Sequence, residues 1–204
     1  MGQPLRYSDI QAEAREIATA ALRRGDSPEQ TARAVIDAAE AFLSKVVAEV
    51  GLHEQMAAIE CGAGCYQCCH QMVAVTAAEL ALVRRAVDAL PEPVRGQTRA
   101  RIAHVAEHGK NLDQAGWWQA RLRCALLDDD GRCLVHAARP LPCRAMNSSN
   151  AESCRRSFDG EKLQIPVLTA QHRVHGHAQM GLAEALAACG ADRRVFALGK
   201  ALAD

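Results

Sequence analysis

The chain has 204 residues, a length that fits one domain and can bury a core without covalent staples. Lys plus Arg equal Asp plus Glu at 24 each, so the formal charge is zero. Nucleic-acid-binding proteins usually carry a basic excess, and anionic membranes attract one, so we expect neither a nucleic-acid nor a membrane partner. Apolar residues make up 49%, many of them alanine, and aromatic residues only 3%, which favours packed helices over a β-sandwich.

The N-terminal segment shows no targeting pattern. Residues 1–15 carry Asp9, Glu13 and Arg15 and lack the apolar core of a signal peptide. No apolar run approaches the roughly 18 residues of a membrane-spanning helix. We therefore expect a cytoplasmic location, a reducing compartment in which clustered thiols more often hold metal than form disulfides.

Helical periodicity dominates the chain outside its cysteine-rich middle. It predicts an amphipathic helix over 8–24 and a second helix, capped by Ser27, whose period continues up to Cys61. The capping-box pattern Thr76-Ala77-Ala78-Glu79 opens another helix that runs to about residue 90. Further helices are predicted over 94–112, 168–188 and 193–202.

The pattern changes in the middle of the chain. Residues 124–135 flank the turn Asp128-Asp129-Asp130-Gly131 and indicate a small hairpin. Two prolines predict an irregular segment over 139–144, and residues 147–153 indicate a polar loop. The middle of the chain is therefore predicted to be an irregular insert between helices.

Eight of the nine cysteines fall in two bursts separated by helical sequence. They are Cys61, Cys65, Cys68 and Cys69 in the first burst, and Cys124, Cys133, Cys143 and Cys154 in the second. Thiolate sulfur is the preferred ligand of zinc and of iron–sulfur clusters, so the sequence predicts one metal site folded from both bursts. Unligated buried thiols and a disulfide framework are disfavoured, because these thiols lie among Gly, Pro and polar residues and no export signal is visible. Cys189 stands alone in an alanine-rich helix and is predicted to fill the core.

The adjacent pair Cys68 and Cys69 needs a separate argument. Successive side chains of an extended segment lie on opposite sides, so adjacent cysteines supply two centres, or two faces of one cluster, more easily than one tetrahedral ion. Eight thiols would fill two tetrahedral zinc sites, or one four-iron cluster and a second site. The count of thiols does not choose between these arrangements.

The two bursts together resemble a known family. Cys61-x3-Cys65-x2-Cys68-Cys69, followed by Cys124-Ala-Leu-Leu-Asp-Asp-Asp-Gly-Arg-Cys133-Leu-Val-His-Ala-Ala-Arg-Pro-Leu-Pro-Cys143-Arg, is similar to the bacterial YkgJ-type cysteine-cluster family, described as a "putative zinc- or iron-chelating domain". The resemblance covers about residues 61–155 and implies a metal-binding domain with ligands from both bursts. Some members look like flagellin lysine methyltransferases with an iron–sulfur cluster, but those proteins are larger.

The chain departs from the pattern of that family at two positions. Ala125 stands where a proline is usual, and His136 where an aromatic residue is common. His136 is therefore either an additional ligand or only a substitute for the aromatic residue.

Other polar residues near the bursts have candidate roles. Arg139 and Arg144 could offset the negative charge of thiolates and donate hydrogen bonds to them, or be solvated arginines. His70 is predicted to be a bystander to the first burst. The histidines near the last long helix are predicted to be exposed rather than functional; they are His172, His175 and His177. Trp117 and Trp118 are predicted to be packed.

The sequence thus predicts a mainly α fold, a single helical domain with a cysteine-rich irregular insert and at most one small β-hairpin. Residues 1–60 and 156–204 would supply helices, and 61–155 the metal-binding region. The first functional hypothesis is a metal-binding protein with zinc or iron, including an iron–sulfur cluster, in a thiolate centre. The second is an enzyme, including a protein-modifying one, with an open coordination position, and the third is a zinc-stapled interaction module with both tryptophans on its contact face. No catalytic triad, phosphate loop or dinucleotide fingerprint stands out, so no catalytic residue is assigned.

Overall fold

A computed structural model describes residues 4–203, so the predicted ranges 1–60 and 156–204 extend outside it by residues 1–3 and 204. Helices dominate this part of the chain, which confirms the predicted mainly α fold. The α-helices are α1 (Tyr7–Arg24), α2 (Pro28–Val50), α3 (His53–Ala57), α4 (Ala77–Asp88), α5 (Val94–Gly109), α6 (Gln114–Gln119), α7 (Leu141–Ala145), α8 (Ala151–Phe158), α9 (Thr169–Ala188) and α10 (Leu198–Ala201). Short 3₁₀ turns span Gln67–His70 and His136–Ala138. Across residues 4–203, no helix combines the length and apolar character that crossing a membrane requires.

The hydrophobic core lies between the N-terminal helices α1 and α2, helix α4 and the long C-terminal helix α9. Helix α1 packs along α9, and α2 packs against α1, α4 and α9. Fully buried apolar residues line these contacts on each helix, such as Ile10 on α1, Val35 on α2 and Leu182 on α9. The long terminal helices thereby form a frame against which the cysteine-rich middle of the chain is placed.

Local start signals correctly predict where α2 and α4 begin. The Ser27 side chain accepts a hydrogen bond from the Gln30 N–H, and Thr76 accepts one from the Glu79 N–H, so both capping boxes form. The second helix is shorter than predicted, since α2 stops at Gly51, whose φ is 71°. The apolar period beyond it belongs to the separate short helix α3 and the coil that follows, so the prediction of one helix reaching Cys61 is wrong.

Two short strands pair, and the second lies where the sequence predicts a helix over 193–202. Strand β1 (Ala74–Thr76) pairs antiparallel with β2 (Val195–Ala197), joining residues far apart in the chain. Each segment is only three residues long, so its pairing depends on a distant partner and leaves no local signal. At the predicted hairpin over 124–135, the pairing is a single bridge between Leu127 and Cys133 around the turn.

The segments predicted to be irregular around Cys143 and Cys154 are helical. Pro140 caps α7 and Pro142 lies in its first turn, where a helix tolerates proline because those N–H groups have no partner within the helix. The Asn150 side chain accepts a hydrogen bond from the Ser153 N–H at 2.8 Å and starts α8, which carries Cys154. The two prolines therefore mark the start of α7, and the predicted polar loop contains the start of α8.

Candidate metal centre

The two cysteine bursts are joined through their backbones. The Cys124 N–H donates a hydrogen bond to the Cys69 carbonyl at 2.9 Å. The turn of the second burst also packs on the loop of the first, because a Cβ at Gly131 would lie 2.8 Å from the Tyr66 ring and 3.5 Å from the Gly64 Cα. Gly131 has a φ of 75°, so both its backbone conformation and the space favour glycine there. The fold therefore brings the two distant bursts together.

The start of the first burst contacts the segment before α8. The Ser148 N–H points to the Cys61 sulfur at 3.2 Å, and the Glu60 N–H donates to the Ser148 carbonyl at 2.9 Å. The Glu60 carboxylate in turn accepts from the Ala151 N–H at 2.7 Å, at the first residue of α8. These contacts hold the helix that carries Cys154 beside the first-burst loop.

Three cysteines of the second burst have a different setting. Cys124 and Cys133 pack against the hydrophobic core, and Cys143 lies on α7 between the buried residues Leu141 and Ala145. Helix α7 itself packs on α9. This half of the second burst is thus anchored to the helical frame.

The adjacent pair Cys68 and Cys69 lies in a 3₁₀ turn rather than the extended segment assumed from the sequence. A 3₁₀ helix has about three residues per turn, so successive side chains still diverge by about 120°. The Cys69 N–H donates to the Tyr66 carbonyl at 2.9 Å, which fixes the turn. The two thiols contact each other in this turn, and the hydrogen bond between them is the largest cause that raises the pKa of Cys68.

All nine cysteines lie within the described part of the chain and are free thiols. Cys189 is exposed just beyond α9, so its prediction as core filler is wrong. The helix ends at that residue, and its side chain therefore falls outside the α1–α9 contact. The eight thiols of the two bursts remain available as ligands.

Burial keeps most of these thiols protonated in the absence of a cation. It raises the pKa of Cys65 and of Cys124 to about 11 each, and it raises the pKa of Cys143 well above the ordinary value of a thiol. Neighbouring thiols add to these shifts, with Cys61, Cys68 and Cys154 acting on Cys65, and Cys124, Cys133 and Cys68 acting on Cys143. The thiols thus fall into two neighbourhoods that share Cys68.

Arg139 lies among thiols of both bursts. Its positive charge favours the thiolate forms of Cys68, Cys133 and Cys143. It opposes the rise in pKa that the Cys69 hydrogen bond and burial cause at Cys68, and that burial causes at Cys133 and Cys143. The Nε atom of Arg139 is buried and has no hydrogen-bond partner among residues 4–203. A buried donor without an acceptor costs about 1–3 kcal/mol, so its surroundings suit an added anionic group.

Arg144 belongs to a different network. Its Nη1 atom contacts the Glu40 carboxylate at 3.0 Å, and its Nε donates to the Arg139 carbonyl at 2.8 Å. The buried His175 places its Nε2 3.3 Å from the same carboxylate. Arg144 therefore connects α7 to α2 and α9, and His175 is buried rather than exposed as predicted.

The pKa of the Glu40 carboxyl group predicts how the stability of the fold changes in acid. The His175 hydrogen bond is the largest cause, with Arg144 contributing, that lowers the Glu40 pKa from 4.5 to about 2. Because the pKa in the folded state is lowered, this stabilisation is fully present above the unfolded pKa and is lost as the pH falls toward about 2. Glu40 is 45% exposed, so screening limits its contribution to about 1 kcal/mol.

We expect Glu40→Gln to lower the free energy of unfolding by about 1 kcal/mol at pH 7 and by much less near pH 3. Urea titrations of both proteins at each pH measure the difference. The exposed Glu16→Gln substitution on α1 is the control and should change little. An equal difference at the two pH values would contradict the role given to the charge.

The remaining histidines near the bursts lie at different depths. His136 is exposed in the second 3₁₀ turn, beside Arg139 and Arg144, whose charges add to desolvation in lowering its pKa. His70 is buried, and its ring packs with its centre 4.6 Å from that of the Phe158 ring, while its bystander role stays a prediction. Of the histidines on α9, His172 is exposed and His177 stacks on Tyr7 with ring centroids 5.8 Å apart.

The tryptophans pack inside the molecule rather than forming an open face. Trp117 is 2% exposed, and Gly109 and Gly199 lie against its ring. Trp118 is half-buried and meets Phe158 edge-on, with ring centroids 5.6 Å apart. Trp117 is thereby removed from any contact surface.

Glu79 is a buried carboxylate whose wider role the sequence did not indicate. It accepts hydrogen bonds from the Thr76 N–H at 2.8 Å, from the Gln179 side chain at 2.9 Å and from the Leu141 N–H at 2.9 Å. Burial raises its pKa, and these donors oppose that shift. The capping-box motif predicts only the first contact, because the partners on α7 and α9 are far away in sequence.

The donor set fits zinc or iron chemically, since free thiols and a nearby guanidinium suit a negatively charged metal–thiolate group. In the side-chain conformation of residues 4–203, no three His, Cys, Asp or Glu side chains form a group that could hold a metal ion. The backbone contacts therefore define the neighbourhood of the thiols, and the ligand set remains a prediction.

The chain matches a protein family. Residues 60–160 match the family model CxxCxxCC, described as "putative zinc- or iron-chelating domain". No curated protein and no solved structure matches the chain. The matched range includes both bursts and the turns and helices that join them.

Proposed function

Because residues 60–160 match the CxxCxxCC family, described as "putative zinc- or iron-chelating domain", we propose that the eight clustered cysteines are the ligands of a thiolate metal centre. The observation that carries this proposal is Arg139, whose buried Nε has no hydrogen-bond partner among residues 4–203 and whose charge acts on thiols of both bursts. A guanidinium there offsets the charge of thiolates and supplies a hydrogen-bond donor to them. His136 is a candidate additional ligand beside the same arginine.

The metal is zinc or iron in this proposal. A zinc ion would cross-link the bursts, whereas an iron–sulfur cluster would add redox chemistry. The protein contributes thiolates held at the junction of two segments, the Arg139 charge and a largely desolvated setting for Cys124 and Cys143. A cytoplasmic location, which keeps the thiols reduced, forms part of the proposal.

Metal analysis of anaerobically purified protein tests the proposal directly. We expect bound zinc or iron in whole equivalents, with visible absorbance and acid-labile sulfide if an iron–sulfur cluster is present. The Cys143→Ser variant should lose metal, and Cys189→Ser, at an exposed thiol outside the bursts, should retain it. Protein without zinc or iron under these conditions would overturn the proposal.

Arg139 gives a second prediction. We expect Arg139→Gln to lower metal affinity by about 10- to 100-fold, since removing a partner of metal ligands has effects of this size. Chelator competition measures the affinity, and Arg132→Gln, at an exposed arginine paired with Asp128, is the matched control. Unchanged affinity in Arg139→Gln would assign this arginine a packing role only.

An enzyme with an open coordination position is the second candidate function. The exposure of Cys61 favours it, because an exposed ligand leaves one side of a centre accessible to substrate. X-ray absorption spectroscopy of the metal separates the candidates. Four sulfur neighbours per metal support a closed centre, and an oxygen or nitrogen neighbour that exchanges with added ligand supports the open one.

A further inference from the structure

The eight clustered cysteines differ in how firmly the fold holds them. Cys124 and Cys133 pack against the core. Cys143 lies on α7 between Leu141 and Ala145, whose side chains are buried. Cys61 is exposed, Cys65 lies in the coil between α3 and the first 3₁₀ turn, and Cys154 lies on α8. We name the first three cysteines the inner set and the last three the outer set.

Among the helices that carry a clustered cysteine, α8 is the least buried. It has no buried residue along its eight positions. Its packing on the first 3₁₀ turn includes the Phe158 ring, which lies 4.6 Å from the His70 ring. The Arg121 guanidinium lies over the Phe158 ring, 4.0 Å from its centre. These contacts are few compared with those of α7, so α8 can leave the body at a lower cost in free energy.

The hydrogen bonds that hold each set support the same division. The outer set is assembled through the Ser148, Glu60 and Ala151 contacts described above, which join the first-burst loop to the start of α8. The inner set is assembled through the Leu127–Cys133 bridge and through α7, whose first N–H is held by the buried Glu79. Cys68 and Cys69 are adjacent in the 3₁₀ turn, their thiols contact each other, and Cys68 neighbours thiols of both sets.

We propose, on the basis of the proposed metal-binding function, that the chain holds two separable metal centres, an inner one that is retained and an outer one that exchanges its metal as α8 detaches. The inner centre takes Cys124, Cys133 and Cys143, the outer centre takes Cys61, Cys65 and Cys154, and Cys68 and Cys69 supply one thiolate to each. Each centre then has four thiolates, the number that a tetrahedral zinc site or a four-iron cluster requires.

The division has a functional consequence. The outer centre is where this chain would give up or accept zinc or iron, since its ligand Cys61 is exposed and its ligand Cys154 lies on a weakly packed helix. The inner centre would keep the two bursts joined while that exchange takes place. The exchanged species is the metal ion or cluster itself, and no further substrate is required.

Timed metal release tests the proposal. Metal-loaded, anaerobically purified protein is incubated with EDTA, separated by gel filtration, and analysed for residual zinc, iron and sulfide. We expect two pools, the first leaving about tenfold faster or more, because weakly packed segments open at lower free energy. Cys154→Ser and Cys61→Ser should lack the fast pool and keep the slow one, whereas Cys189→Ser should keep both.

Hydrogen exchange supplies a second readout in the same samples. When the fast pool has left, amide protection should fall across α8 and remain unchanged across α7. A single release phase in the unmodified protein, or loss of both pools in both outer-set variants, would overturn the two-centre proposal while leaving metal binding intact. Protein that contains no metal at the outset would instead overturn the proposed function, and this inference with it.

Discussion

Replacing Gly181 with alanine should lower the free energy of unfolding by about 3 kcal/mol, one of the largest effects of a single added methyl group in this chain. A Cβ at this position would lie 2.2 Å from the Gln11 carbonyl oxygen and 3.0 Å from both the Ala14 Cβ and the Arg15 nitrogen. The nearest atom is backbone, so it cannot turn aside as a flexible side chain would. The helices α1 and α9 must therefore separate, and theirs is the most extensive helix contact of the described chain.

The matched control lies on the same helix. A Cβ at Gly176 would meet no atom within 4 Å, so Gly176→Ala should stabilise the protein by up to about 1 kcal/mol through helix propensity. Urea unfolding followed by circular dichroism measures both variants. Comparable stability of the two alanine variants would show that the α1–α9 contact adapts without cost, contrary to the packing described above.

Helix positions were predictable because their signals are local. Ser27 and Thr76 begin helices through hydrogen bonds to residues three positions later, and apolar periodicity identifies the buried faces of α1, α2 and α9. The strands β1 and β2 were not predictable, since a three-residue segment pairs only when the fold brings its distant partner alongside. Proline composition also misled at α7, because proline breaks a helix interior but is accepted in its first turn.

The meeting of the two bursts was predictable from thiol chemistry, but its details depend on contacts over long sequence distances. No pattern around Cys61 indicates the Ser148 contact, and no pattern around Arg144 indicates its pairing with Glu40. Cys189 shows the same limit, since alanine-rich surroundings suggest a buried position and the helix ends there instead. Such features arise from where the helices pack, so periodicity along one segment carries no information about them.

Replacing Glu79 with alanine should lower the free energy of unfolding by about 3–5 kcal/mol, because it leaves buried donors on three segments without an acceptor. Those donors are the Thr76 N–H at the start of α4, the Leu141 N–H at the start of α7 and the Gln179 side chain on α9. Glu79→Gln should cost less, since one oxygen remains and its amide group opposes another donor. Urea unfolding at pH 7 measures both losses.

The control for Glu79 is the exposed residue of the other capping box. Gln30 accepts from the Ser27 N–H at 2.8 Å in solvent, so Gln30→Ala should cost about 1 kcal/mol or less. Because Leu141 starts the helix that carries Cys143, we also expect Glu79→Ala to reduce metal content at temperatures where it remains folded. Equal losses of stability for Glu79→Ala and Gln30→Ala would mean that Glu79 is an ordinary cap. Reduced stability with undiminished metal content would mean that the thiol of Cys143 is positioned without this carboxylate.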